Sequence, residues 1–148
     1  MVSNLFNVFK IGILTSVTCL VFSCTPTPEI PISNTLEIAL GDRYSVYVDL
    51  LNKAVSKDTA ALHRFLEIDN IYDAAGYDHG WVLIQLMKKN GDKDFAKALL
   101  KLNKSQLNNL KQYFEVGTDG GGMSNDTLFK MYPNSFNQLS FSPASPSI

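Results

Sequence analysis

The chain has 148 residues, enough for one domain and too few for two sizeable cores. Apolar residues make up 45% and charged residues 18%, which excludes a disordered or collagen-like chain. A net charge of -1 excludes wholesale non-specific nucleic-acid binding, and two cysteines exclude a disulfide scaffold or a cysteine-cluster metal site.

The amino terminus opens on a short polar segment that holds Lys10, and an uncharged apolar run from Ile11 to Phe22 follows. A helix of that length rises about 18 Å, too little for a ~30 Å hydrocarbon core. A short apolar run behind a positive start reads as a secretory signal rather than a span. The run closes on Val21-Phe22-Ser23-Cys24. This resembles the lipobox of bacterial lipoproteins: a branched aliphatic residue, two mostly small residues, then cysteine. Val21 and Ser23 match the pattern, and Phe22 is bulkier than the usual residue. Cys19 fits less well, because Ser16-Val17-Thr18 lacks the aliphatic position.

The resemblance covers only this signal. It implies that residues 1–23 are removed and that Cys24 becomes the acylated first residue of the mature chain. Two or three acyl chains, at about 0.8 kcal/mol per buried methylene, make a lasting membrane anchor. Lipoproteins held at the inner membrane often carry Asp after that cysteine. Thr25 stands there instead, so the resemblance points to the outer membrane, facing the periplasm. No run of acids follows Cys24, so export to the cell surface is not expected. Cys19 leaves with the signal, so the mature chain has no disulfide and depends on an apolar core.

Alternating prolines in Thr25-Pro26-Thr27-Pro28-Glu29-Ile30-Pro31 favour an extended spacer, so residues 24–35 read as the lipidated cysteine and a flexible linker. A helical domain over 36–133 follows. Tyr44, Tyr47, Val48, Leu51 and Val55 recur every three or four residues, which predicts a helix over 42–56 with Asp42 as its cap. Asp58 caps a second helix, with Ala61, Leu62, Phe65 and Leu66 on one face, that runs to about Ile68. Residues 69–80 are dense in Asp, Asn, Gly and Tyr and read as a loop.

Asp78 is the expected cap of a third helix, apolar on most sides (Trp81 to Met87) and ended by Gly91. This is the expected central helix. Asp92 opens a fourth, with Phe95, Ala98, Leu99 and Leu102 inward. Ser105 opens a fifth, ended by Gly117, and a short apolar patch from Leu128 stops at Pro133. Residues 134–148 are poor in charge and rich in Ser and Pro, so a disordered tail is expected. No segment alternates like a strand. The fold expected is a small all-α bundle of about five helices.

The chemistry concentrates before the central helix. Tyr72, Asp73, Tyr77, Asp78, His79 and Trp81 place aromatic rings among carboxylates, with no Lys or Arg between Phe65 and Met87. Such a surface suits a sugar, a cation or a basic partner. His79 with Asp78 or Asp73 is also the one candidate acid–base pair. The plainer reading makes Asp78 a cap, Gly80 a close-packing residue and His79 a surface residue of the first turn. His63 lies mid-helix, and no recognised metal-ligand spacing joins it to His79 and Asp73. Lys93, Lys97 and Lys101 stand four apart on one predicted helix face and form a basic stripe. No cofactor and no metal site are implied. The expected function is non-enzymatic: a membrane-anchored envelope lipoprotein that binds a protein or envelope polymer, in the manner of an inhibitor or immunity protein. The alternatives are an envelope enzyme using Asp78 and His79, and a sugar or small-molecule module using Tyr72, Tyr77 and Trp81.

Overall fold

The computed structural model describes residues 27–119 and 123–141. The signal segment, Cys24, the three glycines at 120–122 and the last seven residues lie outside these. The described residues form an all-α domain of eight helices with no strand. In chain order these are α1 (Asn34–Leu40), α2 (Tyr44–Val55), α3 (Thr59–Leu66), α4 (Asp73–Asn90), α5 (Asp92–Leu99), α6 (Lys104–Gly117), α7 (Asn125–Met131) and α8 (Pro133–Gln138). A single 3-10 turn, Gly41–Arg43, joins α1 to α2. None of the described helices is long and apolar enough to cross a membrane.

The longest helix, α4, is central. It buries Val82, Leu83, Ile84, Leu86 and Met87, and packs most extensively on α6, then on α1 and α2. Helices α2 and α3 pair as a hairpin, and α8 closes over α5. A chain of edge-on rings runs through the far side, with Phe114 centred 6.1 Å from Phe95 and 5.8 Å from Phe136. Edge-to-face rings at such spacings satisfy the quadrupole of each and fill large core volumes.

Side-chain caps set four of the eight helix starts. Asp58 accepts from the amides of Ala60 and Ala61, as expected. Asn103, not Ser105, caps α6, in a reciprocal box with Gln106. Gly91 takes φ +82°, a region that other residues rarely adopt, and so ends α4 where the sequence places the stop.

Four expectations change. Ordered structure begins before residue 36: Ile30 is buried, and Ser33 caps α1 by accepting from Leu36 N–H. Asp42 caps nothing, because it lies inside the 3-10 turn. Residues 69–80 are not a loop throughout, since α4 starts at Asp73 and takes in Asp78 within its second turn. The tail is ordered to residue 141 as well. Pro133 starts α8 instead of ending the fold, and Ser135, Phe136 and Leu139 are buried. Proline suits a first helical position because its missing N–H is unpaired there anyway.

Candidate functional site

Extending α4 back to Asp73 redistributes the acidic-aromatic cluster around a helix. Successive residues stand about 100° apart on such a helix, so the six candidates cannot share one surface. Tyr72 and Asp73 lie at the helix start, both exposed, and the Tyr72 hydroxyl donates to Asn70 Oδ1. Tyr77, Asp78 and Trp81 occupy adjoining positions and line one groove of about 410 Å³. The opposite wall is Pro31, Ile32 and Ser33, and the floor is Val82, Val116 and Gly117. The hydroxyl of Ser33 donates to Asp78 Oδ2 across the groove. The volume falls in the range of pockets that take a small ligand or one or two side chains of a partner.

Asp78 is the only charged residue in the lining, and no cation pairs with it among the described residues. Tyr77 is 48% exposed. Trp81 is partly buried against the core and lines the groove with part of its remaining surface. The result is a carboxylate flanked by two aromatic side chains, open to solvent and supplied with a serine hydroxyl. Aromatic faces attract cations and also stack on sugar rings.

His79 points the other way. It is 0% exposed, and the sequence-based expectation of a first-turn surface residue is corrected. Its Nδ1 lies 2.8 Å from the Tyr47 hydroxyl, while Nε2 has no partner. Rings of Tyr47, Phe65 and Tyr113 surround the imidazole, with Tyr113 edge-on at 4.7 Å between centroids. Burial in this apolar cage lowers its pKa from 6.5 to about 3. The same burial holds the Tyr47 hydroxyl well above its ordinary value. His79 is therefore a neutral core residue that neither meets Asp78 nor reaches solvent, and the Asp78–His79 acid–base pair does not form.

The basic stripe also divides. Lys93 and Lys97 belong to α5, but the helix ends at Leu99 and Lys101 lies in the following turn. Lys97 and Lys101 line a second concavity of about 330 Å³ together with Lys57, Thr59, Leu62, Asn90, Asp94 and Ala98. Lys93 is exposed outside it. Lys97 is 3.3 Å from Asp94. His63 lies 3.4 Å from Glu67, one turn on. No group of three or more His, Cys, Asp or Glu among the described residues is placed to hold a metal ion.

The sequence reading missed the groove wall at Pro31–Ser33 and the basic residue Lys57. A signal for the wall was present: Ser33 precedes Leu36 and Leu40, a cap followed by apolar residues one turn apart. Compared with family models, curated proteins and solved structures, the chain matches none of them.

Proposed function

We propose that the chain is a lipoprotein of the bacterial envelope, anchored through acylated Cys24 and facing the periplasm from the outer membrane. Its helical domain is non-enzymatic and binds a partner protein or envelope polymer in the groove at Tyr77, Asp78 and Trp81. The lipobox-like end of the signal supports the anchor. One observation carries the binding role: two aromatic side chains and a carboxylate with no cationic partner among the described residues converge on an open groove. A side chain or sugar bearing a cation or hydroxyl donors complements that lining. The enzyme alternative loses its base, because His79 is buried and neutral.

Trp81 is the sole tryptophan of the chain, so its emission reports the groove directly. The acylated protein is used as bait in envelope extract beside a Tyr77→Ala/Trp81→Ala variant shown to be folded by circular dichroism. A protein retained by the wild type and lost by the variant supports partner binding. A change in Trp81 emission with soluble glycans, and no retained protein, supports the sugar-binding alternative instead. No retention and no emission change would overturn the groove as a binding site. The anchor is tested separately by the intact mass of the mature protein and its loss of acyl mass in Cys24→Ala.

A further inference from the structure

We propose that the concavity lined by Lys57, Lys97 and Lys101 is a phosphate site that seats the headgroup of an anionic phospholipid. This rests on the anchoring of the chain through Cys24. Three lysines reach the concavity from separate places: the α2–α3 turn, α5, and the turn after α5. With Asp94 as its only acid, the lining carries three positive charges and one negative. The side chains of Lys57 and Lys101 have no ion-pair or hydrogen-bond partner among the described residues, whereas Asp94 is engaged by Lys97. Asp58, which lies between the lining residues Lys57 and Thr59 in sequence, is occupied as the cap of α3. The Lys57 backbone is held in place by an N–H bond of 3.1 Å to the Ala54 carbonyl. Leu62 and Ala98 supply apolar surface, and Thr59 adds a hydroxyl. Lysines act on phosphate as point charges without a fixed fork geometry, which suits a headgroup that rotates.

The path of the chain identifies the source of the phosphate. Asn52, in the last turn of α2, grips the incoming backbone at two points. Its Nδ2 donates to the Thr27 carbonyl at 2.8 Å and its Oδ1 accepts from Glu29 N–H at 2.9 Å. Lys57 follows in the turn that ends α2, and Asn90, which lines the concavity, bonds to the Ala54 carbonyl at 3.1 Å. The tether and the lysines therefore share one end of the bundle. Cys24 stands three residues before Thr27, a reach of at most about 10 Å. That is roughly one screening length at physiological salt. A lipid on Cys24 thus holds the lysine end against the headgroups, where the phosphate concentration is far above that of solution.

The test uses the mature protein in nanodiscs of phosphatidylcholine alone and of phosphatidylcholine with phosphatidylglycerol. Acetylation of each lysine is followed by mass spectrometry, with Lys130 of α7 as the internal reference. Lys57, Lys97 and Lys101 are expected to react about fivefold more slowly in the anionic discs, and high salt is expected to abolish the difference. Equal rates in the two discs overturn the headgroup site while leaving the acyl mass on Cys24 intact. Equal protection by inorganic phosphate in detergent overturns the lipid source and assigns a soluble phosphate instead. A mature chain without acyl mass overturns the anchor and, with it, this inference.

Discussion

Gly80 and Gly117 face each other where α4 crosses α6, with backbone against backbone. A Cβ on Gly80 would stand 2.9 Å from Gly117 Cα and overlap the Tyr113 carbonyl oxygen. A Cβ on Gly117 would stand 2.8 Å from Gly80 Cα and 2.7 Å from Trp81 N. This crossing positions both halves of the neighbourhood. It brings Gly117 and Val116 to the floor of the groove beside Trp81, and sets Tyr113 against the His79 ring.

Alanine at either position therefore has no room, and the obstructing atoms are backbone, which cannot rotate aside. Gly80→Ala and Gly117→Ala are each expected to lower stability by about 3 kcal/mol, at the upper end of overpacking costs. For a domain of this size that is a fall in Tm of roughly 15 °C. Thermal unfolding followed by circular dichroism checks it. A Tm close to wild type would show that the helices can separate freely.

His79 makes stability depend on pH in a window where few other groups titrate. Its pKa in the folded state is about 3, against 6.5 for the ordinary group. Between those values the unfolded chain binds a proton that the folded chain does not, so stability rises with pH and falls on acidification. The slope expected from this one residue is about 0.7 kcal/mol per pH unit at pH 6.5 and approaches about 1.4 near pH 5. Urea unfolding between pH 5.0 and 6.5 isolates it from the carboxylates. His79→Leu is expected to flatten that slope, although it also strips Tyr47 of its partner and lowers stability throughout. An unchanged slope would place the imidazole in contact with water.

Apolar periodicity carried most of the fold. It located α2, α3, α5 and α6 to within a few residues, and marked the central helix by its run from Trp81 to Met87. It misread residues 69–80 because Asp, Asn and Gly are turn formers by local preference. Here the preference is overridden by contacts distant in sequence. Gly76 and Gly80 sit in α4 because α6 packs against them: the Tyr113 hydroxyl donates to the Ile71 carbonyl at 3.1 Å, and Gly80 meets Gly117. The same misreading hid His79. One residue's shift in the helix start turns a side chain by about 100°, so the histidine and its neighbour Asp78 could not be assigned to inside and outside. The groove wall at Pro31–Ser33 was hidden because proline spacing says nothing about docking.

Asp92 shows how a short terminal segment is held by one side chain. Its Oδ1 accepts from Ser135 N–H and from the Ser135 hydroxyl, both at 2.8 Å. Its Oδ2 accepts from Asn134 N–H at 3.0 Å and Asn134 Nδ2 at 2.7 Å. Burial alone would raise this carboxyl, but the bonds from Ser135 and Asn134 outweigh it and hold the pKa below the ordinary value. The carboxylate of α5 thus caps the start of α8, which has no side-chain cap of its own. Asp92→Ala is expected to cost about 2–3 kcal/mol, because a charged acceptor and several orphaned donors are involved. The loss should appear first at α8, as faster proteolysis and amide exchange around Phe136. Uniform loss across the domain would contradict a local clasp.

Ser33 serves two neighbours at once. Its oxygen accepts from Leu36 N–H at 3.0 Å, capping α1, and its hydroxyl hydrogen goes to Asp78. Ser33→Ala removes both, at an expected cost of about 1–2 kcal/mol, since water can replace part of the bond at the half-buried Asp78. Ser33→Asp separates the two roles. Aspartate is as good a cap as serine, but it sets a second carboxylate beside Asp78, where like charges repel. Helix α1 should then keep its cap while the wall formed by Pro31–Ser33 moves away from α4. Trp81, which lines the same groove, supplies the readout. Its emission is expected to shift to the red in Ser33→Asp more than in Ser33→Ala. Equal shifts in the two variants would mean that the wall is held by its apolar contacts, with Ile30 and Leu36 in the core, and not by the serine.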